Sequence, residues 1–176
     1  VEGANLSGAS GGDAASAGFF VQTGGNTVIG FSFTGGTVSS GCGILTNKTI
    51  DIFPKETWNI HGGLSPWYRG SATHFWPSYL LEPEFTGMTF HHLTQNIDGG
   101  DIVHQTVVNL NAKDNLHENA CRCVKDFILE LNLFVEKKIF EQKISGIKQK
   151  TTGRIWTSKM WHPSLLEVIY NKFEDK

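Results

Sequence analysis

The chain has 176 residues, of which 39% are hydrophobic and 18% charged, and its formal charge at pH 7 is -2. This length favours one compact domain over two large ones, and the composition excludes a disordered, highly charged chain and a membrane bundle. The near-neutral charge gives no basic surface for nonspecific phosphate binding, so a nucleic-acid partner is disfavoured. Three cysteines without paired zinc-ligand spacing indicate free thiols in a reducing cytoplasm.

The first part of the chain differs in composition from the rest. Only two of the first 47 residues are charged, against 30 of the remaining 129. Residues 1–18 are rich in glycine, alanine and serine without an apolar period, which is typical of a flexible arm. We therefore expect disorder or loose packing over residues 1–18.

Strand patterns begin after this arm. Residues 19–21 and 28–33 flank a Gly-Gly-Asn sequence at 24–26, which favours a hairpin because glycine and asparagine tolerate the positive φ of tight turns. A short buried strand over residues 37–40 and a short helix over 47–53 are predicted next.

The remainder alternates strand and helix patterns. Strands are predicted over residues 57–61, 87–93, 102–110 and 154–156. Helices are predicted over residues 71–81, over 114–138 and from Pro163 onward, and the segments 62–70 and 96–100 are predicted as a loop and a turn. Pro77 should kink the first of these helices, whereas the second carries one continuous apolar stripe. This alternation predicts an α/β sheet protein.

Asn59 and His61 carry the first chemical signal. They are two residues apart, so on a strand they point to the same side, and the glycines that follow leave space beside them. An amide donor and an imidazole placed together can stabilise an oxyanion. Asp98, in a glycine-rich turn, could orient that histidine and accept a proton. The alternative is a strand-end histidine that a neighbouring turn satisfies without any catalytic role.

Three motifs in order extend this signal. They are Asn-x-His at 59–61, Leu-x-Pro-x-Tyr-Arg-Gly at 64–70 and Ile-Asp-x-Gly-Asp-Ile at 97–102. Together they resemble the catalytic core of the folate-dependent formyltransferases, over roughly residues 38–110. That family includes methionyl-tRNA formyltransferase, glycinamide ribonucleotide transformylase and the sugar N-formyltransferases.

The resemblance implies a Rossmann-like α/β fold and attack of a primary amine on the formyl carbon of N10-formyltetrahydrofolate, without a metal. Asn59 and His61 would stabilise the tetrahedral intermediate, and Asp98 would hold His61 and help to move the proton. The implied folate contacts are Gly41, Cys42, Gly43, Ile44, Leu45, Gln95, Asn96, Ile97, Gly99 and Gly100. Trp67 and Arg69 are the candidate acceptor contacts, and Arg69 could instead fix its loop by hydrogen bonding.

The chain also departs from the family pattern. Only 37 residues precede the segment that begins at Val38, where family members have a complete first βαβ region, so we expect a shortened or atypical N-terminal half. The resemblance thus implies an atypical glycine-rich segment over residues 1–37 and a catalytic core with C-terminal helices over residues 38–176. In the family the sequence Asn-x-His is usually followed by Pro-Ser. Here Gly62 and Gly63 stand in place of Pro-Ser, a variant associated with enzymes that act on sugar-like substrates. We therefore expect a cytoplasmic enzyme that formylates an amine on a sugar or sugar nucleotide.

Several alternatives stay open within and outside this class. The same three residues would also serve a methionyl-tRNA formyltransferase-like enzyme or a formyltetrahydrofolate hydrolase, in which water replaces the amine. A noncatalytic folate-binding fragment is the alternative from a different class. A homodimer is compatible with each of them, and no membrane-spanning run of about 18 apolar residues is present in the sequence.

Overall fold

A computed structural model describes part of the chain in detail. The described residues are 18–23, 27–32, 51, 57–137, 144–151 and 153–173. The predicted strand over residues 37–40 and most of the predicted helix over 47–53 lie outside them. Within the described residues, no helix is both long and apolar enough to cross a membrane.

Seven strands form two sheets within the described residues. The strands are β1 (Gly18–Thr23), β2 (Thr27–Ser32), β3 (Thr57–His61), β4 (Tyr68–Gly70), β5 (Gly87–His92), β6 (Ile102–Val107) and β7 (Arg154–Trp156). The larger sheet has the order β1-β2-β3-β5-β6, and the smaller one pairs β4 with β7 in parallel. In the larger sheet β2 and β3 are parallel, and the other neighbouring pairs are antiparallel.

The predicted strands agree with this arrangement, with one omission. β1 and β2 pair antiparallel with Thr23 opposite Thr27, as expected for the predicted hairpin, whose turn residues lie outside the described part. The prediction of a loop over residues 62–70 is wrong at its end, because residues 68–70 form β4. A three-residue strand has too few side chains for a period of two, and its partner β7 lies far along the sequence.

In the part of the chain that the structure describes, three α-helices lie between and after the strands: α1 (Trp76–Tyr79), α2 (Leu116–Glu136) and α3 (Ser164–Phe173). Short 3-10 helices occupy Pro83–Phe85 and Ser158–Met160. The predicted helix over residues 71–81 is wrong in its first half, where Ala72 has a φ of 55°. Pro77 lies in the first turn of α1 and does not kink a longer helix, since the first turn is where proline is tolerated.

Two separate apolar clusters support these elements. The sheet core contains Trp58, Ile60, Met88, Phe90, Val108, Cys123, Phe127 and Leu131, and it packs α2 against β3, β5 and β6. The aromatic cluster contains Tyr68, Phe75, Trp76, Leu116, Trp156 and Ile169, and it joins the small sheet to α1 and α3. The predicted apolar stripe of α2 is confirmed at Cys123, Phe127 and Leu131, which are all buried. The candidate site lies between strands of both sheets.

Candidate active site

Strand pairing brings an amide and an imidazole together. Asn59 on β3 stands opposite His91 on β5, and its Nδ2 lies 3.2 Å from His91 Nε2. His91 Nδ1 lies 2.8 Å from the carbonyl oxygen of His92, which can only accept, so Nδ1 carries the proton and Nε2 accepts from Asn59. This chain of hydrogen bonds fixes which way the Asn59 amide points.

The second N–H of Asn59 points to Asp98. Asn59 Nδ2 lies 3.4 Å from Asp98 Oδ1, which is long for an N–H···O hydrogen bond. Asn59 is half-buried, and the Asp98 side chain is 13% exposed. This weakly held N–H is therefore available to an oxygen atom of a ligand.

His61 is enclosed between two acceptors. Its side chain is 4% exposed, its Nε2 lies 2.8 Å from the carbonyl oxygen of Tyr68, and its Nδ1 lies 3.3 Å from Asp98 Oδ2. The carbonyl requires a proton on Nε2. Nδ1 therefore gains a hydrogen bond only when a second proton lies between it and the Asp98 carboxylate. The pair is a place where one extra proton can be held.

The pKa values of this pair suit that role. Burial lowers the pKa of His61 below 6.5 even though the Asp98 charge opposes the shift, so the imidazole is neutral at pH 7. Burial raises the pKa of Asp98, but three neighbours outweigh burial and lower this pKa to about 2. They are the charge of His61, the hydrogen bond and charge of His91 when its ring is protonated, and the hydrogen bond from the Gly70 N–H. Asp98 is thus ionised at neutral pH and ready to accept a proton.

Gly63 makes the position of the His61 ring possible. A Cβ on Gly63 would lie 2.5 Å from His61 Nε2 and 2.6 Å from Thr73 Cβ, and it would also meet the Tyr68 carbonyl oxygen. These distances are too short for any side chain. A Cβ on Gly62 would make only ordinary contacts, the shortest being 3.5 Å to His74. Of these two glycines, Gly63 is the one that the geometry of the site requires.

The other predicted site residues fall into three groups. Gly41, Cys42, Gly43, Ile44 and Leu45 lie outside the described residues. Gln95 and Asn96 are exposed at the start of the turn that also contains Ile97, Gly99 and Gly100. Trp67 is 50% exposed, with an edge contact to Phe85 at 5.7 Å between ring centroids.

Arg69, by contrast, is only 5% exposed, and its Nε donates to the Ile97 carbonyl oxygen at 2.8 Å. This contact is the one expected if the Arg69 guanidinium fixes a loop by hydrogen bonding. Its predicted contact with an acceptor substrate stays a prediction.

Sequence reasoning missed three residues that contact the site. His91 carries no signal of its own in the sequence, yet its ring orients Asn59. Ser65 and Gln149 donate to the carbonyl oxygen of Asp98 at 3.1 and 2.9 Å. Pairing of the strands at 57–61 and 87–93 would have indicated His91, but no local pattern points to Gln149.

Comparison with known proteins identifies the group to which this site belongs. Residues 37–127, more than half of the chain, match the family model described as formyl transferase. The chain belongs to the formyl transferase family. The matched segment contains Asn59, His61 and Asp98, so the family match covers the residues whose geometry is described above.

Individual formyltransferases resemble the chain over part of their length. A methionyl-tRNA formyltransferase of Prochlorococcus marinus is 32% identical over 116 residues, which are 63% of this chain and 35% of that protein. The chain thus spans about a third of the length of that relative.

Solved structures show the same fold. A 4-N formyltransferase from Francisella tularensis aligns with a TM-score of 0.53 and 27% identity, over 65% of this chain and 46% of that one. A second solved structure is the formyltransferase PseJ from Anoxybacillus kamchatkensis in complex with UDP-4,6-dideoxy-4-formamido-L-AltNAc and tetrahydrofolate. It aligns with a TM-score of 0.58 and 21% identity, over 75% of this chain and 68% of that one. The chain therefore has the Rossmann-like α/β fold of the formyltransferases.

Proposed function

We propose that this chain transfers a formyl group from N10-formyltetrahydrofolate to a primary amine on a sugar or sugar nucleotide. The observation that carries the proposal is the meeting of an Asn59 N–H with the His61–Asp98 pair. Family membership supports formyl transfer. The complex of the Anoxybacillus relative with a formamido sugar nucleotide and tetrahydrofolate supports this pair of substrates.

The chemistry of the donor set fits both substrates. A formyl oxygen only accepts hydrogen bonds, and Asn59 has an N–H held by a long 3.4 Å contact. A primary amine donates, and the ionised Asp98 carboxylate accepts. His61 is enclosed, so the half-buried Asn59 and the partly exposed Asp98 are the groups that a ligand can touch.

Asn59 stabilises negative charge in this mechanism. Bound N10-formyltetrahydrofolate supplies an activated formyl group. The Asn59 N–H turns from Asp98 to the formyl oxygen and strengthens its hydrogen bond as that oxygen gains charge, while His91 keeps the amide oriented. Loss of such a donor typically lowers kcat by about 10²- to 10³-fold.

His61 and Asp98 move the proton. The attacking amine gives up a proton as its nitrogen bonds to the formyl carbon, and the pair holds that proton between Nδ1 and Oδ2. The pair returns it to the folate nitrogen as the bond to the formyl carbon breaks. His61 therefore acts through Asp98, and its enclosed Nε2 stays bound to the Tyr68 carbonyl oxygen.

The substrate contacts that remain are also proposals. We propose residues 38–176 as the catalytic core, the 41–45 segment and the 95–100 turn as the folate contacts, and Trp67 as an acceptor contact. The exposed face of Trp67 suits a sugar or base ring.

Methionyl-tRNA is the second candidate acceptor. The Prochlorococcus relative, at 32% identity, favours it. The formal charge of -2 argues against it, because tRNA binding depends on neutralising phosphates.

One experiment separates these functions. Binding of 5-formyltetrahydrofolate is measured by isothermal titration, and transfer from N10-formyltetrahydrofolate is then measured with UDP- and dTDP-linked amino sugars, with methionyl-tRNA and with water alone. We expect folate binding and transfer to at least one amino-sugar nucleotide. Transfer to methionyl-tRNA alone would support the second candidate, and release of formate alone would indicate a hydrolase. Binding without product would indicate a noncatalytic module, and absence of folate binding would overturn the proposal.

A further inference from the structure

The turn that contains Asp98 is held by side chains from elsewhere in the chain. Asp98 has a φ of 46°, in the left-handed region that aspartate adopts more readily than most residues other than glycine. The backbone carbonyls of Ile97, Asp98 and Gly100 all accept hydrogen bonds from distant side chains. Contacts outside the turn therefore help to set where the Asp98 carboxylate lies.

Arg69 holds one side of the turn. Its Nε and Nη2 both donate to the carbonyl oxygen of Ile97, and the guanidinium is buried where it lies across Gly99. The next residue of β4, Gly70, donates its N–H to Asp98 Oδ2 at 2.8 Å. One short strand thus fixes both the backbone of the turn and the carboxylate.

Gln149 holds the turn at two further carbonyl groups. Its Nε2 donates to the carbonyl oxygens of Asp98 at 2.9 Å and Gly100 at 2.8 Å, so both amide hydrogens are directed at the turn. The segment that carries it is fixed to β6 by two backbone hydrogen bonds between Ile102 and Ile147, of 2.8 and 2.7 Å. Gln149 lies beyond the segment that matches the family, which ends at residue 127.

We propose that Arg69 and Gln149 are positioning residues that clamp the 97–100 turn at different carbonyl groups and so place the Asp98 carboxylate against His61 for proton transfer. The inference rests on the proposed function of Asp98. It assigns Arg69 to the turn and not to an anionic substrate, and it makes a residue outside the matched segment part of the catalytic arrangement.

The titration of His61 reports the clamp directly. Asp98 is the main group that opposes the effect of burial on the pKa of His61, and the hydrogen bond with the Tyr68 carbonyl opposes it too. The charges of His91 and Arg69 lower that pKa, and His74 is the other titratable group that interacts with His61. A carboxylate that moves away from Nδ1 therefore lets the pKa of His61 fall further. A substitution that leaves the Asp98 carboxylate in place would leave the pKa of His61 unchanged.

The experiment compares four variants of the full chain. Gln149→Met keeps the volume of the side chain and removes both donors, and Gln149→Glu keeps its shape but presents oxygens to the two carbonyls. Arg69→Lys keeps the charge and loses the paired donation. Arg122→Lys is the matched control, because Arg122 also donates to a backbone carbonyl, that of Asn109 at 2.7 Å, away from the site.

Imidazole titrations by NMR, melting temperature, kcat and KM are measured for each variant, with Asp98→Asn as the reference for complete loss of the carboxylate. We expect Gln149→Met and Arg69→Lys to lower the pKa of His61 in the same direction as the reference. The carboxylate added by Gln149→Glu raises the pKa of a nearby imidazole, so this variant is compared by kcat and KM alone. We expect kcat to fall roughly 10- to 100-fold while KM for the folate changes much less, because a displaced catalytic group affects the reaction more than binding. Arg122→Lys should leave the pKa of His61, kcat and KM unchanged.

A folded Gln149→Met chain with an unchanged His61 titration would overturn the clamp. Gln149 is half-buried, so this variant keeps the test decisive even if Arg69→Lys does not fold. If the wild-type chain transfers no formyl group, the proposed function fails while the titration still decides the clamp. If the titration is unchanged in an active enzyme, the clamp alone fails.

Discussion

The two halves of the candidate active site are held in place by different kinds of interaction. Asn59, His61 and His91 lie on strands of the large sheet, whose other side chains pack in the sheet core under α2. Asp98 lies on a turn with few apolar neighbours, and hydrogen bonds from Arg69, Gln149 and Gly70 hold it. Nondirectional burial thus holds the strand half, while directed donors hold the turn half. The turn half should therefore be the more sensitive to loss of one polar contact.

The largest expected effect is at Asp98 itself. Asp98→Asn keeps the size of the side chain and removes the proton acceptor, so kcat should fall by roughly 10²- to 10⁴-fold. Folate binding, measured by titration with 5-formyltetrahydrofolate, should stay close to that of the wild type. Asp101→Asn, at an exposed carboxylate three residues further on, is the control and should stay active. Unchanged kcat in Asp98→Asn would remove the proposed proton transfer.

Two residues of α2 test whether burial in the sheet core holds the strand half of the site. Phe127 is fully buried against β5 and β6, so Phe127→Ala should lower the free energy of unfolding by about 3–5 kcal/mol. Leu129, two residues away on the same helix, is 56% exposed, and Leu129→Ala should change that free energy by no more than about 0.5 kcal/mol. Urea unfolding measures both. Equal losses in the two variants would contradict the packing of α2 described here.

Gly63→Ala tests where the two halves meet. The added methyl would displace His61 or the Tyr68 carbonyl oxygen, so we expect a loss of about 1–3 kcal/mol in the free energy of unfolding together with a reduced kcat. Gly62→Ala is the matched control, since its methyl has room. Denaturant unfolding and formyl transfer are measured for both variants. A Gly63→Ala chain as stable and active as Gly62→Ala would show that the His61–Tyr68 contact is dispensable.

The smallest effect at neutral pH concerns His74, because its contribution to stability changes only as the solution becomes acidic. Burial, together with the charge of His61, lowers the pKa of His74 to about 4, whereas an unfolded histidine titrates near 6.5. Between these values the unfolded chain binds a proton that the folded chain does not, so stability is full above pH 6.5 and is lost as pH falls towards 4. His74→Gln should make unfolding free energy less dependent on pH in this range. His162→Gln, at an exposed histidine, should follow the wild type.

Much of the strand half was predictable from local sequence. The period of two at 57–61 placed Asn59 and His61 on one side, and the apolar stripe over 114–138 predicted α2 with its buried face. The ordered motifs predicted the family, which the match over residues 37–127 confirms. Each of these signals depends on residues close together in sequence, where backbone geometry alone sets which side chains share a face.

The remaining features depend on contacts between distant segments. β4 has only three residues and is stabilised by pairing with β7, which is distant in the sequence. No local pattern therefore distinguishes the sequence of β4 from that of a loop. The helix predicted over residues 71–81 shortened to α1, because Phe75 and Trp76 pack into the aromatic cluster and the chain turns at Ala72. Propensity is a weak preference that such packing overrides.

By itself, the sequence of this protein determined its α/β class, the positions of Asn59, His61 and Asp98, and a resemblance to the formyltransferases. Only the tertiary structure decided that His91 orients Asn59, that Gly63 makes room for the His61 ring, and that Arg69 and Gln149 converge on the turn that holds Asp98. The physical reason is that a hydrogen bond requires its donor and acceptor to lie about 3 Å apart. For residues as far apart in the sequence as Asp98 and Gln149, only the folding of the whole chain sets that distance.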